Sequence, residues 1–184
     1  MKICCSVAEQ TTLEWNPDFA LKWSDFKAES NPAVFEDSHS VIKYRFTWTI
    51  NSEKIDEQVV FFIEDIHIFV EFHPLLSWVR LSEANDSLLN HEQGNFDLAE
   101  LVKNENLLKF HDKFYSKHFP TRGKNEEQRK QFAKEDSGKM INVEIEKLQE
   151  LYNEKSQKYH DETKYGLNSE QQSQYDLLFS QLRR

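Results

Sequence analysis

The sequence predicts an α+β protein, with a small antiparallel or mixed sheet in the N-terminal half packed on a helix and long helices in the C-terminal half. Three observations carry this. Apolar residues alternate from Val41 to Ile50 and again within Gln58 to Phe72, the period of a half-buried strand. Beyond Arg80 the apolar spacing becomes helical, with no proline between Pro74 and Pro120. Strands followed by helices, rather than alternating with them, give an α+β architecture.

The elements follow in order. Leu21 to Phe26 alternates, with Leu21 and Trp23 on one side, and Asn31-Pro32 marks a turn. In the first clear strand, Ile42, Tyr44, Phe46, Trp48 and Ile50 share a face. Asn51 to Lys54 reads as the next turn. In the second strand Ile66, Ile68, Val70 and Phe72 share a face, and Pro74 ends it. Ser77 to Arg80 reads as a short edge strand. Asn85 or Asp86 is placed to cap a helix from about Ser87 to His118, with Gly94 and Asn104 as points where it could break. A second helix is expected over about 125–159, with Ile141, Ile145, Leu148, Tyr152 and Tyr159 on one stripe. A loop is expected over Asp161 to Gly166. A last helix is expected over about 169–182, with Tyr175, Leu178, Phe179 and Leu182 inward.

The 184 residues fit one domain, 1–184, large enough to bury a core. Residues 1–12 read as a frayed start. The formal charge is −9, and it is uneven: residues 1–100 carry 7 basic and 18 acidic side chains, residues 101–184 carry 16 and 14. An acidic chain with no basic stripe lacks the footprint of a nucleic-acid binder and argues against an anionic membrane surface. Cys4 and Cys5 are the two cysteines and are adjacent, so no intrachain disulfide framework is expected. The start falls short of a signal peptide's apolar stretch, and no apolar run approaches a membrane span. Both point to a cytoplasmic protein.

Several chemistries are absent from the sequence. The four glycines are scattered at 94, 123, 138 and 166, so no phosphate-binding glycine loop exists. There is no G-x-S-x-G elbow. His67 and His73 share a strand face but lie roughly 20 Å apart. His111 and His118 are about 10 Å apart on a helix. Neither pair can share one ion. His91-Glu92 differs, because it begins H-E-x-x-N. In the zinc-protease helix H-E-x-x-H, two histidines one turn apart hold the metal and the glutamate takes a proton from its water. Here Asn95 stands at the second histidine.

The longer string Leu88-Leu-Asn-His-Glu-Gln-Gly-Asn-Phe-Asp-Leu-Ala-Glu100 resembles the L-x-x-HEQ-x-HFDIAE signature of DUF922. That is a bacterial family of unknown function whose members are described as secreted zinc-dependent proteases. Leu21-Lys-Trp-Ser-Asp-Phe26 resembles its L-x-W-x-D-F, and Ser77-Trp-Val79 its S-W-V. Tyr159-His-Asp-Glu-Thr-Lys-Tyr-Gly-Leu-Asn168 resembles Y-x-x-E-T-x-H-G-L-N, with Gln172 and Tyr175 near its Q-x-x-W. The resemblance covers about residues 21–180. It implies a zincin-like fold, His91 as the first metal ligand and Glu92 as the general base. Asn95 replaces the second histidine ligand and Tyr165 the third. Asn offers zinc only a neutral oxygen, and Tyr must lose a proton of pKa near 10 before it can ligate.

The expected function is therefore a metallopeptidase-like domain with a degraded zinc site and weak or no protease activity. It would retain peptide or protein binding along a strand edge at Ser77, Trp78 and Val79. A first alternative is an active metallopeptidase using His91, Tyr165 and either His160 or Asn95, with Glu92 as base. His160 would reach the site if the loop bends back. A second alternative is a helical interaction module whose working surface is 125–159. Asp97 and Glu100 fall off the ligand face and are expected to pin the helix. Asn95 is expected to hydrogen-bond Glu92, His91 or Tyr165. The acidic first half suggests an acidic groove suited to a basic peptide.

Overall fold

The structure, a computed structural model, describes residues 12–184; the adjacent cysteines and nearly all of the expected frayed start lie outside that range. The described residues are α+β, built on a long hairpin and three helices. Strand β1 (Leu13–Glu14) and a 3-10 turn at Trp23–Asp25 come first in the described range, followed by β2 (Ser38–His39), β3 (Ile42–Ile55) and β4 (Gln58–Phe72). A second 3-10 turn (Pro74–Leu76) and β5 (Trp78–Val79) lead to α1 (Asp86–Phe114). Then come β6 (Phe119–Pro120), α2 (Glu126–Thr163) and α3 (Ser169–Phe179). The alternation at Leu21 to Phe26 thus belongs to a 3-10 turn: Lys22 N–H bonds the Asp25 carboxylate, and Leu21 and Phe26 are buried.

The main sheet is antiparallel. β4 pairs β3 along its length, and β1 and β6 pair its opposite edge at the two ends. The expected turn at Asn51–Lys54 lies inside β3 instead. The reversal comes at Asp56-Glu57, both left-handed (φ 46° and 67°), between the paired Ile55 and Gln58. Two left-handed residues match the right-handed twist of a tight hairpin. Trp48 faces Ile66 but Ile50 faces Ile63, so β4 carries one extra residue there. That bulge switches the inward set from Phe61 and Ile63 to Ile68, Val70 and Phe72, all buried.

α1 runs unbroken through Gly94 and Asn104. Asn85 caps it, its side-chain oxygen accepting Leu88 N–H. Tyr159 of α2 lies so close to Gly94 that a Cβ there would overlap its hydroxyl. Glycine is therefore the contact point of the two helices. α2 is capped by Asn125 and continues four residues past Tyr159 to Thr163, so Asp161 to Thr163 are helical rather than loop. Lys164, Tyr165 and Gly166 then turn left-handed (φ 52°, 55° and 85°) and reverse the chain into α3.

One apolar cluster runs from Leu21 to Phe179 between the sheet and the helices. The α2 stripe points into it: Ile141, Ile145, Leu148, Tyr152 and Tyr159 are all buried. The apolar surface that the interaction-module alternative would offer to a partner is therefore spent inside this chain. Leu178, expected inward on α3, is exposed, while Phe179 is buried. Among the described residues, no helix is long and apolar enough to cross a membrane.

Candidate functional site

A cleft of about 500 Å³ opens between the β2–β3 segment, α1 and the second half of α2. Its walls are polar. Ser38, His39, Ser40 and Lys43 face Gln149, Asn153, Ser156 and His160 across it. Glu92 and Asn95 form its floor and Tyr165 its rim.

α1 places His91, Glu92 and Asn95 at positions i, i+1 and i+4, about one turn, all buried. Glu92 Oε1 accepts Ser38 Oγ–H at 2.5 Å and Oε2 accepts Ser40 Oγ–H. Burial pushes its carboxyl above the ordinary range, against the pull of the two serines. Asn95 Oδ1 accepts Tyr152 O–H at 3.1 Å and Ser156 Oγ–H at 2.7 Å. Its side chain therefore turns to α2, and not to Glu92, His91 or Tyr165 as expected.

His160 comes to His91 from a helix rather than from a bent loop. His91 Nε2 and His160 Nδ1 are 2.8 Å apart. His91 stacks on Tyr159 with ring centroids 4.5 Å apart and planes 1° off parallel. Tyr165 stacks on His160 (5.0 Å, 11°) and tilts against His91 (5.5 Å).

The proton positions follow from one group that can only accept. Thr163 Oγ1–H donates to the Tyr159 carbonyl at 2.6 Å, so Thr163 Oγ1 must accept from His91 Nδ1 at 3.1 Å. Neutral His91 then has a bare Nε2, which accepts the proton on His160 Nδ1. His160 in turn presents a bare Nε2 to Ser156 Oγ at 3.1 Å. Both rings are held neutral. Burial and then His160 lower the pKa of His91 to about 3; burial and then His39 lower that of His160 to about 4.

These residues do not fit zinc. The hydrogen bond between His91 Nε2 and His160 Nδ1 uses the two ring nitrogens that a metal would need. Asn95 faces hydroxyls. Burial raises the Tyr165 pKa, followed by Glu36 and Asp161, which opposes the phenolate that a metal would need. Among the described residues, no group of three or more His, Cys, Asp or Glu is arranged to hold a metal ion.

The expected peptide edge also needs correction. Ser77, Trp78 and Val79 are buried, and β5 pairs β2 through Val79–Ser38 and Trp78–His39. Ser77 O accepts Ala28 N–H, and Ser77 Oγ accepts Val41 N–H. These three residues support the cleft from behind. The strand that faces it is β2 with the start of β3. There, Gln149 of α2 accepts Tyr44 N–H at 3.3 Å and donates to Ile42 O at 3.2 Å. One side-chain amide thus sits where a neighbouring strand would pair.

Ser38, Ser40, Gln149 and Ser156 carry no motif and were not singled out by the sequence. The i, i+4 spacing of Ser156 and His160 is a signal of their meeting only because α2 extends past Tyr159. Asp97 and Glu100 pin α1 as expected. Asp97 accepts Trp15 Nε1–H at 2.8 Å and pairs with Arg183; Glu100 pairs with Lys103 at 2.7 Å. Comparison with family models, curated proteins and solved structures returned no match.

Proposed function

We propose that this chain is a zincin-like domain of the DUF922 type whose metal centre has become a hydrogen-bonded polar site. Its function is to bind an extended peptide segment, without metal-dependent proteolysis. The observation that carries the binding reading is the Gln149 amide on Ile42 and Tyr44, inside the cleft. A bound strand makes the same two backbone hydrogen bonds once Gln149 swings aside. Glu36 on the cleft wall and Asp161 beside it favour a basic peptide, with binding that weakens in high salt.

The test is titration of isotope-labelled protein with short Lys/Arg-rich peptides. Shifts of the Tyr44 amide and the Gln149 side-chain NH2 are expected, and their absence at millimolar peptide would sink the reading. Metal analysis of protein purified without chelator tests the other half. Zinc far below one per chain is expected; about one per chain, lost on His91→Ala, would overturn it.

A second reading has one observation in its favour: His91, His160 and Tyr165 do share a ring cluster. It takes the chain as an active metallopeptidase with those unusual ligands. Casein hydrolysis that requires both added zinc and Glu92 would establish it.

A further inference from the structure

We propose that Ser156, His160 and His91 form an acyl-transfer relay that hydrolyses small carboxylic esters of polar alcohols. The inference rests on the metal-free half of the reading above, not on peptide binding.

Ser156 is a buried residue at the cleft lining, and its Oγ lies 3.1 Å from the bare Nε2 of His160. His160 Nδ1 is fixed by His91 Nε2 at 2.8 Å, and His91 by Thr163. A nucleophile, a base within hydrogen-bond reach and a third group that sets the base's tautomer make up the triad arrangement, recognised by geometry and not by chain order. The Tyr159 carbonyl sets the direction of every proton in the chain, and the one lone pair left over faces the serine. The Ser156 hydroxyl has one proton and two acceptors, Asn95 Oδ1 and His160 Nε2. A small rotation moves that proton to His160.

The steps balance. Ser156 Oγ adds to the acyl carbon as its proton passes to His160 Nε2. The carbonyl electron pair becomes an oxyanion, and the relay assigns its donor to the NH2 of Asn95, whose Oδ1 contacts Ser156 at 2.7 Å. The oxyanion collapses, the bond to the alcohol oxygen breaks, and the alcohol leaves with the proton from His160. Water then repeats the sequence on the acyl-serine, giving the carboxylic acid and restoring Ser156. The orienting group is a neutral imidazole rather than a carboxylate, so the imidazolium formed on His160 is weakly stabilised. That favours esters, with their better leaving groups, over amides. Tyr152 and Asn95, both buried, close the floor beside Ser156 and favour a short acyl group. The Ser, Asn and Gln walls suit a polar alcohol.

The full-length chain treated with a fluorophosphonate probe is the test, read by peptide mass spectrometry. One adduct is expected, on Ser156, formed ~100-fold more slowly in His160→Gln. Ser156→Ala should lose both the adduct and the turnover of p-nitrophenyl acetate above the free-imidazole background. His91 is a positioning residue. His91→Leu should lower kcat and leave KM unchanged, while His91→Gln, whose amide oxygen can accept from His160, recovers rate. Wild-type protein that melts normally without an adduct on Ser156, or equal labelling of His160→Gln, overturns the relay. Zinc analysis on the same sample separates the two failures. Stoichiometric zinc overturns the metal-free reading, whereas zinc-free, unlabelled protein overturns only the relay.

Discussion

Two neutral imidazoles joined by one hydrogen bond make the site sensitive to acid. Unfolded, both histidines titrate near 6.5; folded, burial holds them at about 3 and about 4. Below pH 6.5 the unfolded chain therefore takes up protons that the folded chain refuses, so stability falls as pH falls towards those folded values. Glu92 acts oppositely in a window just above its ordinary pKa, because its raised value favours the folded acid there. Between pH 6.5 and 5 the histidines dominate. Glu36, His39 and Asp161 set the field at His160, and its lowered pKa already includes them. Thermal melts should show a loss on the order of 2 kcal/mol by pH 5, largely absent in His91→Gln/His160→Gln. Gly94→Ala should cost about 1–3 kcal/mol as an overpacking change, read in urea melts, because the added methyl meets the Tyr159 hydroxyl. Under the proposed DUF922 reading, Asn95→His with Tyr165→His should raise zinc affinity, measured by calorimetry. Adding His160→Asp should raise it further by removing the ring that now bonds His91 and stacks on Tyr165. No gain in either variant would show that positions 95 and 165 are not ligand positions.

Among the elements, the long helices are held at their starts. Asn85→Ala should cost α1 about 1 kcal/mol in a denaturant titration, through loss of the Leu88 N–H cap. The cap of α1, the period-two face of β3 and the apolar stripe of α2 were legible in the sequence, because each is a local pattern with one physical cause. The hairpin turn was not. Asn51-Ser52 carries turn chemistry but pairs with Phe62 and Phe61, while Asp56-Glu57 bends although it lacks the Gly or Asn that usually marks such turns. The apolar stripe of α2 ends at Tyr159, but the helix runs on to Thr163 because Asp161-Glu-Thr163 contains no breaker. In the site, α1 was legible through His91-Glu92. His160 was visible as a candidate partner, but Ser38, Ser40 and Ser156 were not, since they carry no motif and reach the site from 50 to 70 residues away in the chain.

Across the whole molecule, Arg183 closes the structure. Its guanidinium pairs with the buried Asp97 and donates to the Pro17 and Phe19 carbonyls, joining α1, the segment after α3 and the segment after β1. Arg183→Ala leaves Asp97 buried with only Trp15 and Gln93 as donors and should cost about 3 kcal/mol or more in thermal or urea unfolding. Asp97→Asn, which removes the charge while keeping acceptor capacity, should cost less. The β3–β4 hairpin has a different consequence. Up to the bulge its strands lie on the core. Beyond it, the segment from Ser52 to Gln58 is solvent-exposed, and β6 and Thr121 brace its base at Val59 to Phe61. One continuous ribbon thus contains two clocks. Amides from Ile66 to Phe72 should exchange with deuterium only when the entire protein opens. Those around Glu53 to Gln58 should exchange orders of magnitude sooner, through a local unzipping that leaves the cleft intact.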